Sequence, residues 1–208
     1  MSGFFLVLDG LDGAGKSTQI RRLVEWLQQA GRTVVCCRDP GGTAVGDEIR
    51  RLLLDTRSSM SMACEMLLYL ASRAQLVHEV VRPALARGEI VVADRFLLST
   101  IVYQGYAGGL PVEEVRRLCL SATGGLVPHR TFLLDLPPEA AGLRRRGPAD
   151  RIESRSSDFH RKVREGFLAE AARDPDRVVV VDASPDVETV HRLLRKQVES
   201  DLEAARRA

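Results

Sequence analysis

The chain has 208 residues, 45% of them hydrophobic, enough to build one good-sized core without division into independent domains. Thirty basic residues against 28 acidic ones leave a formal charge of +2, which excludes bulk attraction to nucleic acid or a membrane surface, so any anion recognition has to be local. No apolar run approaches the roughly 20 residues that span a bilayer, and MSGFFLVLDG lacks the charged start and cleavage site of a secretory signal. The four cysteines, Cys36, Cys37, Cys64 and Cys119, form no C-x-x-C pair and read as small buried thiols of a reducing compartment, which places the protein in the cytoplasm.

The first predicted element is a strand, Phe4 to Asp9, running straight into GLDGAGKST. Gly10, four residues on, and then Gly15-Lys16-Ser17 match the phosphate-cradling loop G-x-x-x-x-G-K-[ST]. The glycines let backbone amides wrap around oxygens in front of a helix N-terminus, Lys16 supplies a charge for the β and γ phosphates, and the Ser17 hydroxyl can bind magnesium. The whole stretch Gly10, Leu11, Asp12, Gly13, Ala14, Gly15, Lys16, Ser17 and Thr18 is therefore a candidate triphosphate site.

A second strand is predicted from Thr33 to Cys37, followed by RDPGGT, where Pro40-Gly41-Gly42 must turn sharply before a helix-like segment that carries Arg50. Ala63, Leu67, Leu70, Ala74, Val77 and Val81 step by three or four residues, which predicts a long helix reaching about Arg87 with one apolar stripe. Tyr69 and Arg73, four apart, lie away from much of that stripe; they can stack on and contact a flat base, or form an ordinary surface cation-aromatic pair.

The third strand, Ile90 to Asp94, ends in Asp94-Arg95. In an open parallel sheet ligands bind beyond the carboxyl ends of the strands, so Asp94 falls near the loop as a magnesium partner and Arg95 faces an anion, with a strand-end salt bridge as the plain alternative. Ser99 and Tyr103-Gln104-Gly105 follow on a presumed helix. Further strands are predicted at Thr131 to Asp135 and Arg177 to Asp182, and a last helix with Ser184 as cap, Pro185 in its first turn and Val187, Val190, Leu194 and Val198 as its stripe. The strand runs are continuous rather than alternating, so both sheet faces should be covered by helices.

Between Arg144 and Lys162 the sequence RRRGPADRIESRSSDFHRK has almost nothing to bury, with Gly147-Pro148 as a hinge or turn. It reads either as a solvated surface loop or as a basic lid that closes over phosphates. His78, His129, His160 and His191 are scattered and read as surface or packing residues.

Taken in order, GLDGAGKSTQ, RDPGGT, SRAQ at Ser72 to Gln75, DRFLLSTIVYQG and DRIESRSSDFHRKVREGF resemble the successive motifs of bacterial thymidylate kinases, from about Phe4 to Asp182. The resemblance implies a P-loop nucleoside monophosphate kinase fold, an α/β five-stranded parallel sheet flanked by helices with a small basic lid at about 144–162, in a single domain. It implies transfer of the γ-phosphoryl of ATP to dTMP with magnesium, and a homodimer. By motif, Lys16 and Ser17 belong with donor phosphates and magnesium, and Asp12 near the substrate sugar and catalytic centre. Arg50, Arg73 and Arg95 match acceptor-binding arginines, Tyr69 a base-stacking position, Thr100 and Gln104 positions near the base, and Tyr103 one near the deoxyribose. Eukaryotic-type relatives carry an arginine where this chain has Gly13, so Arg144, Arg145, Arg146 and Arg151 of the lid are the implied source of that charge. A deoxynucleoside kinase, another monophosphate kinase, or a nucleotide-dependent switch protein are the rival readings.

Overall fold

The computed structural model describes residues 3–144 and 148–207. In chain order the elements are β1 (Phe4–Asp9), α1 (Lys16–Gln29), β2 (Val34–Arg38), α2 (Ala44–Leu54), α3 (Met62–Leu76) and α4 (Arg82–Ala86), the last two joined by a π-helical turn at Val77–Val81. They continue with β3 (Ile90–Asp94), α5 (Leu97–Thr100) running into a second π-helical stretch at Ile101–Tyr106, α6 (Val112–Ala122), β4 (Arg130–Asp135), α7 (Pro138–Arg144), α8 (Ser157–Arg173), β5 (Val178–Asp182) and α9 (Val187–Arg207). The five strands are parallel in the order β2-β3-β1-β4-β5, so each expected strand is present with its ends moved by at most one residue.

The sheet is covered on both faces, and β1 shows how. Phe4, Leu6 and Leu8 pack with Ile20, Leu23 and Leu27 of α1, Phe167 of α8 and Val190, Leu194 and Val198 of α9. Phe5 and Val7 point the other way, against Leu70, Leu76, Val77 and Val81 of the long helix and Val115 and Cys119 of α6. A central strand that must satisfy two cores has no polar face to alternate with, hence the continuous apolar run.

Three local expectations change. The long helix does reach Ala86, but Leu67 is exposed and Ala63 lies outside both clusters, while Glu65, Met66, Ser72 and Arg73 are buried instead. Met66 and Leu70 join the second core cluster, while Arg73 lines a cavity, so polar and apolar groups share the buried face of the helix's first half. The final helix is capped by Asp186, whose Oδ1 accepts the Thr189 N–H at 2.9 Å, and not by Ser184. Cys37 and Cys119 are buried, as expected of small thiols, whereas Cys36 on the edge strand β2 and Cys64 on α3 are exposed. Among the described residues no helix is long and apolar enough to cross a membrane.

Candidate active site

The segment joining β1 to α1 turns through Gly13 and Gly15, with φ of 93° and 94°, and delivers Lys16 to the first helical position. A Cβ on Gly13 would sit 2.1 Å from the Ala141 carbonyl oxygen, so no side chain fits there while α7 stays in place. An arginine at this position is thus excluded by packing as well as by backbone strain. Lys16 is buried and donates to the carbonyls of Gly10 (3.0 Å) and Leu11 (2.9 Å), with Asp12 Oδ1 at 3.4 Å. Burial lowers its pKa, and the nearby Arg95 charge pushes the same way.

Pairing of β1 with β3 sets Asp94 opposite Leu8, beside the loop. Ser17 Oγ lies 3.5 Å from Asp94 Oδ2, and Asp94 Oδ1 is buried without a partner among the described residues. A hydroxyl and an unsatisfied carboxylate oxygen together suit a hard cation such as magnesium, which takes most of its ligands from phosphates and water. Among the described residues no cluster of three or more His, Cys, Asp or Glu could hold a metal by itself.

Arg95 follows directly, in the left-handed region at φ 68°. This strained backbone throws its guanidinium back toward the loop, where it donates to Asp12 Oδ1 (2.6 Å), Gly10 O (2.9 Å), Ser99 Oγ (3.0 Å) and Asp9 Oδ1 (3.2 Å). It also lies 5.3 Å from the centre of the Tyr103 ring. Burial of Asp12 opposes its ionisation, but the charges of Arg95 and Lys16 overcome that and hold its carboxyl well below the usual range. Asp9 goes the other way: burial pushes its carboxyl up, against the pull of Arg95 and Ser99.

Two cavities meet at this arginine. One, about 320 Å³, is lined by the loop with Arg38, Asp94 and Arg144; it adjoins a larger groove of about 1,030 Å³ between the loop, α7 and the start of α9. The other, about 70 Å³, is lined by Tyr69, Arg73, Ser99, Thr100, Tyr103, Gln104, Asp150 and Ile152. Asp12, Asp39, Arg50 and Arg95 line both the loop cavity and the smaller one.

Every expected acceptor residue, Arg50, Tyr69, Arg73, Arg95, Thr100, Tyr103 and Gln104, lies on the smaller cavity. Arg50 donates to Pro40 O (3.0 Å) in the turn after β2. Arg73 is not the surface cation of a pair with Tyr69: it is 1% exposed, donates through Nε to Asp39 Oδ2 at 2.5 Å and through one terminal nitrogen to Thr100 Oγ1 (2.8 Å) and Phe96 O (3.1 Å). Its guanidinium sits 5.5 Å from the centre of the Phe96 ring. Among the described residues the Tyr103 hydroxyl and one oxygen of Asp39, both on this cavity, are buried and unpartnered. Orphaned polar atoms gathered around one cavity are where a ligand's own polar groups are expected.

The basic segment departs most from expectation. Ile152 is 5% exposed and joins the main core, so the part of the stretch around it is packed rather than bare. Arg144 donates to the carbonyls of Ala183 (2.7 Å) and Ser184 (3.1 Å) and lines the loop cavity. Arg151, expected over the phosphates, is instead turned to Glu65 at 2.6 Å and to Leu53 O at 2.7 Å. A buried carboxylate on α3 outcompetes the solvent-facing loop for that guanidinium. Arg145, Arg146 and Gly147 lie outside the described residues.

Sequence reasoning missed Glu65, Ile152 and the ion pair of Asp39 with Arg73. The four-residue step from Arg73 to Tyr69, carried one step further back, reaches Glu65; nothing in the spacing marks the other two.

A parallel sheet with a phosphate-cradling loop after its first strand, and an arginine-walled cavity sharing that loop's wall, defines a phosphate-loop nucleotide kinase. The family model described as Thymidylate kinase matches residues 8–194, and the chain belongs to the thymidylate kinase family. The chain is 50% identical over 200 residues to a thymidylate kinase of Symbiobacterium thermophilum, covering 95% of this chain and 94% of that one. It is 44% identical over 207 residues to a thymidylate kinase of Caldanaerobacter subterraneus, covering 99% and 100%. The crystal structure of thymidylate kinase from Ehrlichia chaffeensis is similar with a TM-score of 0.79 at 29% identity, over 96% of this chain and 99% of that one.

Proposed function

We propose that this protein transfers the γ-phosphoryl group of ATP to dTMP, giving dTDP for dTTP synthesis, with magnesium as the metal. The observation that carries this reading is the shared wall: Asp12, Asp39, Arg50 and Arg95 line the loop cavity and the smaller cavity alike. Groups held in the two cavities therefore meet at these four side chains.

The donor phosphates belong in the loop, where Lys16 exchanges its hold on the Gly10 and Leu11 carbonyls for phosphate oxygens, with Arg144 at the side. Ser17 and Asp94 would hold the magnesium, which screens the charge of the triphosphate. The acceptor is already an anion, so no strong general base is needed. Asp12, kept ionised by Arg95 and Lys16, is suited to orienting Arg95 rather than to taking a proton. Arg50 and Arg95 then bring the acceptor oxygen in line against the repulsion of two anions, and positioning with electrostatics supplies most of the rate. Tyr69 stacks on the base, Arg73, Thr100 and Gln104 meet its edge, and the Tyr103 hydroxyl faces the sugar.

The smaller cavity is below the ~300–1,000 Å³ typical of ligand sites, so the segment around Asp150 and Ile152 that closes it has to withdraw to admit a nucleotide. This supports the reading of residues 144–162 as a lid on a single domain. Exposed Val45 and Leu52 on α2 and Leu67 on α3, two helices packed together, support a homodimer. The free cysteines suit a reducing compartment, the cytoplasm.

The test is ADP formation from ATP and magnesium with dTMP, dUMP, UMP, dCMP, GMP, AMP, free thymidine, or no acceptor. Strong preference for dTMP is expected. Activity with thymidine alone would make the protein a nucleoside kinase, and acceptor-independent hydrolysis would make it a switch.

A further inference from the structure

Glu65 lies outside every motif read above, yet it is completely buried on α3, one helical step before Tyr69 and two before Arg73. Its Oε2 receives Arg151 at 2.6 Å and Arg155 at 2.5 Å, both from the segment that closes the smaller cavity. Its Oε1 receives the Gln104 side-chain amide at 2.8 Å. An ionised carboxylate only accepts hydrogen bonds, so Gln104 must turn its NH₂ toward Glu65. That leaves the Gln104 carbonyl oxygen, which accepts no hydrogen bond among the described residues, as the group it can show to the cavity it lines.

We propose that Glu65 is a positioning residue for base selection: by holding the NH₂ of Gln104 it makes the cavity present an acceptor, and so selects bases with an N–H at the facing ring nitrogen. Thymine and uracil carry that N–H, whereas cytosine places a lone pair there and would meet oxygen against nitrogen. The inference rests on the proposed pyrimidine monophosphate acceptor and extends it to a residue that does not itself touch the base. Because the same carboxylate binds Arg151 and Arg155, base selection is tied to the closed position of the segment that carries them.

The isosteric change Glu65→Gln makes a sharp test. Two guanidinium groups still need an acceptor where Oε2 was, so the new amide oxygen goes there and its NH₂ faces Gln104. Gln104 is then driven to flip, showing NH₂ to the cavity. Steady-state kinetics on the full-length enzyme should give a kcat/KM for dTMP lower by about tenfold or more, mostly through KM, with that for dCMP raised. Glu65→Asp, which keeps an acceptor-only group, should hold the dTMP-over-dCMP ratio within about threefold of wild type. A folded Glu65→Gln enzyme with an unchanged ratio overturns the inference. Should that variant not fold, Glu65→Asp decides it: a retained ratio supports positioning by a carboxylate, and a lost one overturns it. A wild type inactive on dTMP removes the functional reading together with this inference, whereas a dTMP-active wild type whose ratio ignores Glu65→Gln removes this inference alone.

Discussion

The phosphate-cradling loop and the smaller cavity adjoin, yet they are built on opposite principles. The loop is nine consecutive residues, Gly10 to Thr18, acting through backbone geometry with one lysine. The cavity beside it draws side chains from the β1–α1 loop, the turn after β2, α2, α3, the α5 region and the segment before α8, held by the buried pair of Arg73 with Asp39 and by Glu65. A site made of contiguous backbone tolerates change around it, while a site made of converging side chains depends on each buried partner.

Four measurements break or sharpen that contrast. Lys16→Ala removes the only positive side-chain charge of the loop, and phosphoryl transfer should fall by about 1,000-fold in an ADP-coupled assay, with little change in melting temperature. A loss below tenfold would mean that the backbone alone holds the donor. Asp39→Ala should do the reverse and strike stability first: stranding the buried Arg73 costs about 3–5 kcal/mol, or roughly 6–20 °C in a thermal melt. An unchanged melt would show that Arg73 finds another partner.

Gly13→Ala tests the backbone side of the loop. With φ at 93° and the Ala141 oxygen in the way, strain of ~1–2 kcal/mol predicts a rise of about tenfold in the KM for ATP and none in that for dTMP. Equal rises in both would mean that the two sites are not separable. The smallest effect is expected away from both. His129 stacks on Phe4 and its Nδ1 accepts the Phe5 N–H at 2.9 Å, while burial holds its pKa below the ordinary 6.5. A base with a depressed folded pKa gives stability that is full above 6.5 and lost as pH falls from there through the folded value. Melting temperature should therefore drop between pH 7 and 5, and drop less in His129→Asn, which accepts without titrating; identical slopes would assign the acid loss to other groups.

The β1–α1 loop was legible because its chemistry depends on residue order alone: a strand, a fixed count of residues, then Gly-Lys-Ser. Strand positions were legible too, since a strand buried on both faces must be apolar throughout. The Arg73 environment was not, because a helical step of four says which side chains share a face and not what that face packs against. Arg151 was misread for a related reason. Its sequence neighbours are polar and basic, but its partner, Glu65, is 86 positions away on another helix.

What the sequence determined by itself was the ordered series of motifs, the alternation of strands and helices, and a loop able to cradle phosphate, all fixed by local spacing and backbone preference. Only the tertiary structure decided that two cavities share a wall of Asp12, Asp39, Arg50 and Arg95, that Arg73 is buried on Asp39, and that Glu65 turns the Gln104 amide. Those outcomes depend on which charges lose water together and find one another, and that is settled by packing between elements remote in the chain.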